Sequence, residues 1–208
     1  SAAGKIDHNQ LVEQITNSMN NLPQGKTNNR MKATYTGGEY REDKELEQVH
    51  LVLGFEGLDY NDDDFYALQV YSAIMGAGGS SRLFQEIREK RGLVYSIYAS
   101  AESFSDSGTF QVVAGTGKNE IKELLPVLCD ELINSPKNLS EKEIEKSKAQ
   151  LKTNTIINIE STMTNAMIAA YQLLRYDKLI DLQEKIEKID KVSKNSIEKI
   201  ANKLLISK

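Results

Sequence analysis

GAGGSSRLFQEIREKRGLVYSIYAS, from Gly76 to Ser100, decides how this chain is read. Four residues of glycine and alanine lead into a helix, and the helix turns straight into a strand. Leu83, Phe84 and Ile87 fall on one helical stripe, and Arg88, four positions after Phe84, borders it. The charged end of the helix, Glu86 to Arg91, is followed at once by Gly92. That is where a helix C′ residue belongs, since glycine takes the left-handed conformation cheaply. Leu93 to Tyr98 then reads as a strand. Arg88 in the last helical turn and Tyr95 early in the strand thus flank one tight corner. A guanidinium and a phenol there can both donate hydrogen bonds to one oxyanion or carbonyl. The spacing also admits a structural reading, with Arg88 paired to a neighbouring acid and Tyr95 packed with Leu93 and Ile97.

Upstream, Asp7 to Asn20 has the pattern of a short helix, with Asp7 as its cap and Leu11, Ile15 and Ser18 or Met19 on one face. Two strand candidates follow, Arg30–Arg41 and Glu47–Glu56, with a charged turn near Glu42-Asp43-Lys44. The second alternates, with Val49, Leu51, Leu53 and Phe55 on one side and His50 and Glu56 on the other, so an antiparallel hairpin is expected. Asn61-Asp62-Asp63-Asp64 suits the start of a helix running to about Met75. The spacing and closing Glu of a calcium-binding EF-hand are absent. Gly76-Ala77-Gly78-Gly79 is expected to be a flexible turn. It lacks the Gly-Lys-Ser/Thr ending of a phosphate loop and lies between helices rather than after a strand.

Downstream, Leu93–Glu102 and Gly108–Gly115 form a second expected hairpin. Ile121, Leu124, Leu125, Leu128, Leu132 and Ile133 mark an amphipathic helix closed by Pro136. Ser140 and Glu143 make a capping box, with Leu139 placed to staple to Ile144. Helices are expected near 141–158, 161–176 and 193–206. The fold class is therefore α+β: an antiparallel sheet from two hairpins, helices packed on one face, and a helical C-terminal run. The chain reads as one domain over residues 1–208.

Composition bounds the function. With 208 residues, 39% apolar and 27% charged, the chain is that of a globular protein with a sizeable core. A formal charge of −4, with bases and acids mixed along the helices, gives no footprint for nucleic acid. No apolar run is long enough to span a membrane. Cys129 is the single cysteine, which excludes a disulfide framework; within an apolar helical pattern it is expected to be a buried thiol. His8 and His50 are the two histidines, in no metal-binding spacing, so this chain alone is not expected to bind zinc. His50 is expected on the surface. The start SAAGKIDHNQ, without Met, suggests a processed product or a piece of a longer protein.

Ser81-Arg82-Leu83-Phe84, then Arg88-Glu89-Lys90-Arg91-Gly92-Leu93-x-Tyr95-Ser96, resembles the signature of the C-terminal half of the pitrilysin and mitochondrial-processing-peptidase zinc metallopeptidases. AAGKIDHNQLV, from Ala2 to Val12, resembles the segment joining the two halves of such enzymes. The resemblance implies two similar halves facing a cavity. The N-terminal half carries the inverted motif His-x-x-Glu-His and a distant Glu ligand, and substrate adds as a strand to its sheet edge. The C-terminal half binds no metal. It supplies an Arg and a Tyr seven residues apart, here Arg88 and Tyr95. Their implied catalytic role is to hold the substrate backbone and stabilise the tetrahedral intermediate formed when zinc-bound water attacks.

The resemblance therefore implies the C-terminal, substrate-binding half of a zinc-dependent endopeptidase, inactive alone. Zinc is the cofactor of the full-length enzyme, bound by the absent N-terminal half. The implied partners are a peptide substrate, that N-terminal zinc-binding half, and a homodimeric or heterodimeric mate. The implied compartment is cytoplasmic or otherwise reducing, or the mitochondrial matrix in a eukaryote. The alternative is a non-catalytic scaffold or substrate-recognition subunit of the same family, and beyond it an unrelated α+β binding module. The chain departs from the pattern in lacking the zinc motif and in reaching Leu205-Ile206-Ser207-Lys208 where a final strand is implied.

Overall fold

The computed structural model describes residues 1–23, 25 and 31–206. In chain order its elements are helix α1 (His8–Met19), strand β1 (Val49–Glu56), helix α2 (Phe65–Gly76), a π-helix (Phe84–Glu89) and strands β2 (Ser96–Ser103) and β3 (Gly108–Thr116). Helices α3 (Ile121–Asn134), α4 (Glu141–Glu160), α5 (Thr162–Tyr176), α6 (Leu182–Asp190) and α7 (Lys194–Ile206) complete the order. Contacts group the residues into two units, Ser1–Lys32 with Thr153–Leu182, and Ala33–Lys152 with Gln183–Lys208.

The first unit holds α1 and α5. Asp7 caps α1 as its spacing predicts, its carboxylate accepting the Gln10 N–H at 2.9 Å. Ser161 caps α5 in the same way, and Asp177, at φ 53°, ends it in the left-handed conformation.

The second unit is an antiparallel three-stranded sheet, in the order β1-β3-β2, with helices packed on it. The expected α+β class is thus borne out. Alternation sends Ile97 and Ala99 of β2 and Phe110, Val112 and Ala114 of β3 into the core, joined by the half-buried Leu51, Leu53 and Phe55 of β1. His50 stands exposed on the other face. The core includes Leu68, Tyr71 and Met75 of α2, Leu124 and Leu128 of α3, Ile144 of α4, and Ile197 and Ile200 of α7. The Tyr71 ring packs on Phe110 at 5.4 Å between centroids. Its hydroxyl lies 2.8 Å from Ser135 Oγ, which itself donates to the Leu132 carbonyl. The single serine proton is therefore spent, so Tyr71 donates to Ser135. Burial pushes the Tyr71 phenol up, against the lowering effect of Ser135 and Arg82.

The hairpin between 93–102 and 108–115 forms as expected. The first expected hairpin does not. β1 pairs with β3, from Val49 opposite Thr116 to Glu56 opposite Thr109, and residues 31–41 carry no strand. Arg30 lies outside the described residues. Two consecutive glycines, Gly37 at φ 64° and Gly38 at φ 140°, break the extended run that a ladder needs. The segment is instead pinned by single bonds, from the Tyr35 hydroxyl to the Gly54 carbonyl and from the Ala33 N–H to Asp106.

Cys129 is exposed rather than buried. The buried positions of α3 are Leu124, Leu128 and Leu132, a strict four-residue stripe. Cys129 lies one residue, about 100° of helix, past Leu128. Leu125 and Ile133 are turned outward for the same reason. Helix α6 is not among the expected elements, while α7 matches the helix expected over 193–206.

Candidate functional site

Every side chain of the candidate site belongs to the second unit. The helix predicted before Gly92 forms, but its turns are widened. The Lys90 N–H reaches back five residues to the Gln85 carbonyl, 3.1 Å. Single widened turns of this type concentrate at functional sites. The Glu86 carbonyl accepts the Arg91 guanidinium at 2.7 Å, a side chain supplying a donor to the widened turn. Gly92 ends the helix at φ 65°, its N–H bonded to the Arg88 carbonyl at 3.1 Å, as the sequence predicts.

The corner after Gly92 is fixed from below. Leu93 and Val94 are both buried. Thr116 Oγ1 donates to the Leu93 carbonyl at 2.6 Å, and the Tyr95 N–H donates to the Gly115 carbonyl at 2.8 Å. β2 begins only at Ser96, so the two-residue alternation has not yet started at Leu93. Leu93 and Ile97 therefore enter the core while Tyr95 stays 60% exposed. Packing of Tyr95 with Leu93 and Ile97, one of the two arrangements its spacing allows, is not what forms.

Arg88 is exposed on the π-helix. Its guanidinium lies over the Phe84 ring, 4.7 Å from the centroid. Among the described residues it forms no ion pair, while Glu86 binds Lys90 and Arg91. Lys90 above all, helped by Arg91, holds the Glu86 carboxyl below the ordinary carboxylate range against the raising effect of burial. Glu131 of α3 shifts the other way, raised by burial first and by the Glu86 charge second. No hydrogen bond joins Arg88 to Tyr95 among the described residues. Both present unspent donors at either side of one corner.

The base of the π-helix is tied down by Arg82, which sequence reasoning did not single out. Its guanidinium grips both oxygens of Glu143 at 2.9 Å and donates to the Asn138 carbonyl at 2.9 Å. Glu143 also accepts the Ser140 N–H, the reciprocal half of the predicted capping box. The box is legible as a local pattern; its third partner, 61 positions away, is not. The expected flexible turn is likewise held. Gln150 donates to the Ala77 carbonyl and Gln85 to the Gly79 carbonyl.

Burial raises the Glu143 carboxyl, but Ser140 and Arg82 outweigh it and leave it below the ordinary range. A depressed carboxyl adds stability above its unfolded pKa, and that stability is lost as pH falls through the folded value. Glu143→Gln is therefore expected to cost about 1 kcal/mol near neutrality. The cost persists down to about pH 4.3 and fades below it. Melting curves of both proteins from neutral to acid check this; a difference that widened in acid would contradict it.

The family model described as peptidase M16 inactive domain matches residues 1–151. A protein of Rickettsia felis named as an uncharacterized zinc protease is 34% identical over 208 residues, covering 100% of this chain and 50% of its own length. The alpha subunit of mitochondrial-processing peptidase from Caenorhabditis elegans is 29% identical, over 85% of this chain and 38% of its own. A protease from Helicobacter pylori has the same fold, with a TM-score of 0.81 at 19% identity, over 99% of this chain and 51% of its own. The chain thus spans about half the length of the curated relatives it matches.

Proposed function

The chain belongs to the peptidase M16 inactive-domain family, and from that premise we propose that it is the substrate-holding half of a two-half zinc endopeptidase. Among the described residues no group of three or more His, Cys, Asp or Glu is placed to hold a metal ion. In this reading the half acts through hydrogen bonds, and zinc belongs to the half with His-x-x-Glu-His. No described helix is long and apolar enough to cross a membrane.

One observation carries the reading: Arg88 and Tyr95 stand exposed at a corner braced by buried neighbours, and among the described residues neither is spent on a carboxylate. Arg88 offers a planar fork of donors and Tyr95 one O–H. Aimed at a peptide carbonyl, they hold the backbone. As that oxygen gathers negative charge, the same donors bind it more strongly than they bound the ground state, and only that difference speeds the reaction. The partners this reading requires are a peptide and the zinc-carrying half.

The test compares three samples on a fluorogenic peptide. The chain alone is expected to leave it intact, with or without added zinc. Joined to the zinc-carrying half, or within the complete protein, it is expected to support cleavage. Cleavage by the chain alone would sink the proposal. A complete protein that holds zinc and still spares peptides would favour the scaffold reading.

A further inference from the structure

We propose that Phe84 is a positioning residue, holding the Arg88 guanidinium ready for substrate; this rests on the role given to Arg88 above. The guanidinium lies 4.7 Å from the ring centroid, inside the range of a cation–π contact. Phe84 is half-buried and packs on the core, and the backbone of Gly79 stands beside it: a methyl at Gly79 would meet the ring at 3.7 Å. Arg88 rests on this fixed floor four residues on, with its outer side open to solvent.

One acid of the same helix is already committed. Glu86 is engaged by Lys90 and Arg91, and among the described residues no ion pair draws Arg88 off the ring. A long exposed arginine otherwise gives up rotamer freedom at the moment it engages a ligand. Stacking on Phe84 takes that loss before substrate arrives, which is the general route by which preorganised groups gain rate. Phe84 itself touches no reacting atom; it acts through Arg88.

The experiment is a double-mutant cycle in the complete two-half protein, read as kcat and KM on one peptide. Phe84→Leu keeps an apolar side chain of similar size but removes the ring face. It is expected to lower kcat about fivefold with Arg88 present. In the Arg88→Ala background it is expected to change kcat by less than about twofold, because the group it positions is gone. Phe84→Tyr, which keeps the ring, is expected to restore most of the rate. Phe84→Met, a second volume-conserving change, repeats the cycle if the leucine protein folds poorly. Equal losses in both backgrounds would mark a merely structural role and overturn the inference. So would an unchanged kcat in Phe84→Leu beside a large loss in Arg88→Ala. No loss in Arg88→Ala itself would overturn the site reading and this inference with it.

Discussion

Arg88→Ala and Tyr95→Phe, each made in the complete two-half protein, are expected to lower peptide turnover about a hundredfold or more, close to 3 kcal/mol of barrier. The loss should appear chiefly in kcat, since a donor to a developing oxyanion does its work in the transition state. Folding should hardly notice. Arg88 is exposed and Tyr95 is 60% exposed, and exposed substitutions of this kind usually stay within about 0.5 kcal/mol. The Tyr95 backbone keeps its bond to Gly115 in the phenylalanine variant. If both side chains serve one oxygen, the double variant loses less than the product of the single losses. Steady-state kinetics and circular dichroism on the same preparations check all three points. Wild-type kinetics from both variants would end the assignment.

The second large effect lies in the fold. Gly76→Ala is expected to destabilise the chain by about 3 kcal/mol or more, and Gly76→Val further. Gly76 is the last residue of α2 and is buried against β2. A methyl there would sit 1.8 Å from the Ala99 amide nitrogen and 2.6 Å from its Cα. Those are backbone atoms of a paired strand, so the clash is relieved only by moving the helix off the sheet. Alanine's better helix propensity returns about 1 kcal/mol at most, which leaves the clash dominant. Urea titration measures the loss. A variant of undiminished midpoint would show that α2 and β2 have room to part.

Gly76 also marks where sequence reading stops. As a pattern, Gly76-Ala77-Gly78-Gly79 reads as a helix breaker, and the helix does end there. The reason for the first of those glycines is a contact with Ala99, 23 positions on, which no local pattern encodes. The same divide runs through the chain. The Asp7 and Ser140–Glu143 caps, the Gly92 stop and the second hairpin are legible because each is a local hydrogen-bond or periodicity rule. The partner of β1 is not: pairing with β3 is decided by which faces can be buried together, while Gly37 and Gly38 spoil the nearer candidate. Cys129 is misplaced by its pattern because an apolar helical run does not say which hundred degrees of it the neighbours cover. At the site, the Arg88–Tyr95 corner is visible in the spacing. The widened turn, the Phe84 floor and the Glu86 clamp need coordinates, because each depends on which of several nearby groups wins a shared partner.

The clamp on Glu86 reaches beyond the protein. With Glu86 bound to Lys90 and Arg91, Arg88 forms no ion pair among the described residues. In water such a cation gathers small mobile anions, and an arriving ligand must displace whichever one is there. The valence and concentration of the anions in the medium therefore enter every affinity that this half displays.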